Sequence, residues 1–227
     1  MTEFLRQAGT IAAKDLRAEF RNKEVFNAAF SFMLVVLLLF SFTFDPITNP
    51  DMRAMAGGLL WIVYAFAGVL VLNRSFARET ANDCLDALVA SPVTPSALFL
   101  GKCFANAVLL LVLELISLPI FSIFYDVRVM GGFRQLLLIF ILGTWALSAV
   151  GTMFSAITAN NRLRELMLPL LVFPITLPAL MACVDLTNLA LAGEIPPTAE
   201  VWWRLLIVFD VIFTLLGTAL LEPVLLS

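Results

Sequence analysis

The chain has 227 residues, of which 61% are hydrophobic and 14% charged, with a net charge of −3. A soluble domain carries about 25% charged residues, so this much apolar surface cannot all be buried inside one small domain and lipid must cover part of it. The charge is too small to suggest a nucleic-acid partner, and with no histidine and only three scattered cysteines no metal site or histidine-based catalytic set is readable.

The first 24 residues are expected to form an amphipathic helix, because Phe4, Ala8, Ile11, Ala12, Leu16 and Phe20 recur at helical spacing with charges between them. Such a helix lies at the membrane interface; a signal-like role is the alternative. The segment precedes a full-length apolar stretch, so that stretch is expected to be retained as a span.

Six segments fit the roughly 17–25 apolar residues that a bilayer-crossing helix needs: 25–44, 55–72, 103–124, 136–157, 166–184 and 205–225. The fifth contains Pro169, Pro174 and Pro178 and is expected to be kinked or broken. Ten Lys and Arg residues fall in the N-terminal segment, the second connection and the fourth; four (Arg53, Arg128, Arg134, Arg204) fall on the other side. The richer side is cytoplasmic, which places both termini inside. The expected fold is therefore an all-α integral membrane protein, with residues 1–227 forming one permease-like domain.

Residues 73–102 are too polar to span. Leu85, Leu88 and Val89 form an apolar face beside Arg78, Glu79, Asp83 and Asp86, and Pro92 and Pro95 are expected to stop that helix. A short amphipathic helix here either rests on the membrane surface or is a ridge for a soluble partner. The Gly101-Lys102 pair is not a phosphate-binding loop, because Ser96 stands where the first glycine belongs and Cys103 where Ser or Thr belongs.

Within the spans, Thr144, Ser148, Gly151, Thr152 and Ser155 share one face, as do Asp210, Thr214, Gly217 and Thr218. Small residues let membrane helices approach closely. Glu114 and Asp210 are acids at membrane depth with no cation at helical spacing; they form either a substrate-pathway or proton-linked site or a hydrogen-bonded packing contact.

The stretch Arg78-Glu79-Thr-Ala-Asn-Asp83-Cys84-Leu85-Asp86-Ala-Leu88-Val-Ala-Ser91-Pro92, followed by Gly101-Lys102, resembles the cytoplasmic loop of ABC-2-type exporter permeases. The length, the six expected spans, the sequence leading into that loop and the proline-rich fifth span make the whole chain resemble the haem exporter protein B (CcmB) family of cytochrome c maturation. The resemblance implies a coupling helix that docks a separate ATPase through Glu79, Leu85, Asp86, Leu88 and Pro92. It also implies a CcmA-like ATPase that binds the ATP, CcmC-like and CcmD-like membrane partners, a haem chaperone reached indirectly, and a location in the bacterial inner membrane. Haem would be handled by the complex, with no cofactor held by this chain alone and no catalysis by it. The tryptophan-rich haem-handling motif of the pathway's other membrane proteins is absent, and Trp61, Trp145, Trp202 and Trp203 read as helix-end anchors or packing groups. A permease exporting a lipid, glycan or drug, and a membrane scaffold with no transport path, are the other function classes the sequence allows.

Overall fold

The amphipathic pattern of the first residues does form a helix, α1 (Thr2–Asn22), in a computed structural model that describes residues 2–76, 93–159, 161, 163–193 and 196–226. The inner stripe of α1, around Ala8, Ile11 and Ala12, seats on the start of a later helix rather than standing free. Lys23 takes a left-handed conformation (φ 56°) and breaks α1 from α2 (Glu24–Phe44). The Glu19 side chain accepts from the Phe26 amide across that break, one of the orphan donors of the new helix.

Helix α2 buries a single stripe, Val25, Ala29, Met33, Leu37 and Ser41, while Val35, Leu39 and Phe42 point outward. A helix apolar on all sides but buried on one is what a lipid-facing span requires. A short helix, α3 (Pro50–Ala54), is capped by the Asn49 side chain and leads into α4 (Ala56–Leu72). Helix α4 is the buried centre of the bundle, with Leu60, Trp61, Val63, Tyr64 and Leu72 all closed off. Next come α5 (Pro95–Phe124), α6 (Phe133–Ile157) after a 3₁₀ turn at Val129–Gly132, α7 (Arg164–Ala192) and α8 (Glu200–Leu226). Helix α6 packs against α5, α7 and α8, and α4 against α2 and α7.

Among the described residues five helices are long and apolar enough to cross a membrane: Glu24–Phe44, Pro95–Phe124, Val129–Ile157, Arg164–Ala192 and Pro197–Leu221. The expected second span, α4, is apolar but has 17 residues. At 1.5 Å per residue it covers about 25 Å, slightly less than the hydrocarbon core. The all-helical, multi-pass fold is thus present, with five full-length helices and one shorter one.

Two local expectations are revised. Pro95, expected with Pro92 to stop a helix that lies outside the described residues, itself opens α5: it stands at the first helical position, where its missing N–H has no intrahelical partner to lose. As a result α5 starts two turns earlier than the apolar run suggests, and Lys102 belongs to that helix rather than to a loop. The proline-rich span, expected to be kinked or broken, is not broken: α7 runs as one helix of 29 residues through Pro169, Pro174 and Pro178. The prolines stand four or five residues apart, so each removes one amide bond in a different turn, and the Thr176 hydroxyl donates to the Val172 carbonyl within that stretch.

Close packing depends on glycine at several helix contacts, Gly143 and Gly217 among them. A side-chain carbon at Gly143 would collide with the Trp61 ring and the Cys183 sulfur, and one at Gly217 would collide with the Phe99 ring. These are the small-residue contacts by which membrane helices associate without a hydrophobic driving force between them.

Candidate functional site

Glu79, Leu85, Asp86, Leu88 and Pro92, the expected ATPase-docking set, lie outside the described residues. The chain on either side of them is described, and it is tied down by polar contacts. Ser75 and Phe76 end the second apolar helix region. The Ser75 carbonyl accepts from the Lys102 ammonium at 2.7 Å, and that ammonium lies 4.7 Å from the centre of the Phe76 ring. Lys102 is 1% exposed and its second oxygen partner is Asp15 of α1, at 3.1 Å. A buried ammonium needs such partners, because an uncompensated charge in a low-dielectric interior is expensive.

The N-terminal segment reaches both ends of the 77–92 stretch. Glu24 meets Arg74 at 3.4 Å, Asp15 meets Lys102, and the Gln7 side-chain carbonyl accepts from the Thr94 amide at 3.4 Å. Gly101 makes this seating possible: α1 lies so close that a side-chain carbon there would stand 2.7 Å from the Ala8 carbonyl oxygen. One turn further along α5, the Asn106 amide donates to Ser75 Oγ and to Thr152 Oγ1, both at 2.9 Å, and Ser155 Oγ donates to the Leu72 carbonyl at 2.9 Å. A cavity of about 50 Å³, lined in part by Asp15, Ser75 and Asn106, opens beside these groups.

Glu114 and Asp210 are both buried, and the structure separates their roles. Both Glu114 carboxyl oxygens face the Thr144 hydroxyl, at 2.8 and 2.7 Å. Ser117, which stands one turn away, donates instead to the Glu114 backbone carbonyl and bonds the Tyr64 hydroxyl at 3.0 Å. Trp61, Tyr64 and Phe140 meet edge to face at 5.6–5.9 Å between ring centres and form an apolar wall in the same region. Among the described residues Asp210 has no hydrogen-bond partner at either carboxyl oxygen, and Ser148 Oγ is likewise unpartnered. No hydrogen bond joins the two acids among the described residues. No three Asp, Glu or Cys side chains gather where they could hold a metal ion among the described residues.

Sequence reasoning located the acids and the small-residue face of α6 but missed the Lys102 node and the partner of Glu114. Trp61 and Trp145 prove to be packing groups: their indole N–H groups donate to Thr187 and Thr214, both at 2.9 Å.

Long apolar helices, with polar side chains paired across the bundle interior, define a multi-pass α-helical membrane protein. Residues 6–223 match the family model described as CcmB protein, and the chain belongs to that family. It is 28% identical to the Heme exporter protein B of Rhodobacter capsulatus, over 82% of this chain and 86% of the relative. For the Paracoccus denitrificans protein of the same name the identity is 30%, over 83% and 86%, and for that of Pseudomonas aeruginosa 24%, over 85% of each.

Proposed function

We propose that this chain is the permease subunit of an ABC-type system that exports or delivers haem for c-type cytochrome biogenesis. It is itself non-catalytic and is driven by ATP hydrolysed on a separate CcmA-like subunit. The observation that carries this reading is the CcmB match across residues 6–223, reinforced by relatives named Heme exporter protein B that align over most of their length. CcmC-like and CcmD-like membrane subunits and, indirectly, a haem chaperone complete the proposed assembly in the bacterial inner membrane, with six spans and both ends of the chain in the cytoplasm.

Coupling to the ATPase runs through the loop between the second and third apolar helices. Leu85 and Leu88 are the anchors in a groove of the ATPase, Glu79 and Asp86 stand at its rim, and Pro92 ends the helix. Apolar anchors carry most of the binding energy in such contacts, while rim charges tune rate and orientation. The test is recovery of the ATPase with the tagged chain in mild detergent, with membrane level as the control. Leu85→Ala and Leu88→Ala should each lower affinity about 5- to 150-fold, the equivalent of about 1–3 kcal/mol. Asp86→Ala should cost less, with an effect that shrinks in salt. Full recovery in both leucine variants would leave only a surface helix and defeat the coupling role. The purified chain, lacking histidine, should show no bis-histidine haem spectrum when isolated from its partners.

A further inference from the structure

The N-terminal helix and Lys102 have no assigned role, yet together they hold both ends of the proposed coupling loop. Lys102 is a fully buried cation whose ammonium touches two other stretches of chain: Asp15 on α1, and the adjacent Ser75 carbonyl and Phe76 ring where α4 gives way to the loop. Its own backbone sits in the second turn of α5, after the loop has returned. Asn106, on the same side of α5 one turn later, links Ser75 to Thr152 of α6.

We propose that Lys102 is a positioning residue. It ties the entry end of the coupling loop to α1 and α5, while Gln7 of α1 holds the exit end at Thr94, so that displacement of the loop by the ATPase moves α5 and α6 instead of dissipating in slack chain. A lysine whose only task was to neutralise a surface acid would be solvated; this one is 1% exposed, and its carboxylate partner is 23% exposed. Burying an ammonium against a backbone carbonyl fixes that carbonyl in space, which an exposed flexible pair does not do. The proposal rests on the permease reading above.

The experiment uses the intact complex, purified through the tagged chain, and compares wild type, Lys102→Met, Lys102→Arg and Asp15→Asn. Four quantities are read: chain in the membrane, ATPase recovered, ATP hydrolysed, and c-type cytochrome matured in the cells. Methionine keeps the length of lysine in an apolar site but bonds neither Ser75 nor Asp15. Lys102→Met should keep its ATPase and continue to hydrolyse ATP, while cytochrome matured per ATP falls by about 3- to 30-fold, the range expected for loss of a coupling contact. Lys102→Arg should recover part of that yield, and Asp15→Asn should lose about threefold.

If the wild-type chain recovers no ATPase, the permease reading fails and this proposal falls with it. If wild type recovers the ATPase and Lys102→Met matures cytochrome at the wild-type ratio, the proposal alone is overturned. It is also overturned if Lys102→Met loses the ATPase, since its role is then docking. Where Lys102→Met does not accumulate, Asp15→Asn decides: normal accumulation with a wild-type yield refutes the positioning role, and a reduced yield with the ATPase bound supports it.

Discussion

Thr144→Val isolates the contact that satisfies the buried acid. Thr144 is fully buried and Glu114 is 2% exposed, with hydroxyl-to-carboxyl distances of 2.8 and 2.7 Å. Valine matches threonine in shape, so no cavity opens and the loss reads the hydrogen bond alone. Leaving a buried polar group unsatisfied costs about 1–3 kcal/mol in water-soluble cores. Between membrane helices the measured average is nearer about 0.6, with a maximum of about 1.7 kcal/mol, because the separated helices also find partners. Glu114 is 2% exposed beside the Trp61, Tyr64 and Phe140 rings, so the expected cost is at the upper end, about 1.5 kcal/mol. In a Glu114→Leu background the acceptor is gone, and the same Thr144→Val change should cost less than about 0.5 kcal/mol. The assay is unfolding of the purified chain by a denaturing detergent in mixed micelles. Unfolding is followed by reactivity of Cys103 and Cys183, which are buried and free, in a Cys84→Ser background. Equal costs in both backgrounds would show that the contact contributes nothing, and the reasoning would fail.

Gly217→Ala should destabilise the bundle by about 1–2 kcal/mol despite the better helix propensity of alanine, because the new methyl meets the buried Phe99 ring; an unchanged detergent midpoint would contradict the packing. Gly101→Val should lift α1 from α5 and expose the N-terminal segment to added protease in inside-out vesicles, whereas the neighbouring Gly9→Val, which meets nothing, should not. Asp210→Asn should accumulate at least as well as wild type, because the carboxyl has no partner to lose, and Asp210→Lys should cost about 2.5–3.5 kcal/mol and accumulate poorly. Equal accumulation of these last two would place residue 210 in water or among lipid headgroups.

What the sequence made legible was whatever repeats with a helical period. The apolar runs gave the helices, and the row Thr144, Ser148, Gly151, Thr152 and Ser155 gave the buried face of α6, because small and hydroxylated residues stand out against leucine. Helix ends were less legible: Pro95 is as consistent with a stop as with a first-turn position, and only the fold decides. Lys102 read as a loop cation because positive charge beside an apolar run ordinarily marks the cytoplasmic edge. Its burial depends on Asp15 and Ser75, which are 87 and 27 residues away and follow no period. Thr144, the partner of Glu114, lies 30 residues from it for the same reason.

The polar contacts between α5 and α6 also set how these helices can move. Glu114 pairs with Thr144 and Asn106 with Thr152, so eight residues separate the two contacts on each helix and the pairs run antiparallel. A slip of one residue would break both contacts. Apolar packing in lipid distinguishes weakly between such registers, whereas a buried hydrogen bond penalises every register but one. Midway between the two contacts α6 carries Ser148, whose hydroxyl is unpartnered, and by register α5 carries the apolar Leu110 there. The ladder therefore locks at its two ends and leaves its middle unbonded. Motion delivered at the Lys102 end of the bundle is expected to carry α5 and α6 together as one body, because sliding one past the other would cost both contacts at once. A cross-link across the middle tests this. Leu110→Cys with Ser148→Cys, in a background lacking the three native cysteines, is closed by a short bifunctional thiol reagent. Cross-linked membranes should mature cytochrome at the rate of the untreated double variant. A loss confined to the cross-linked sample, and absent when either cysteine is introduced alone, would mean that α5 and α6 separate during the cycle and that the ladder is broken and remade at every turn.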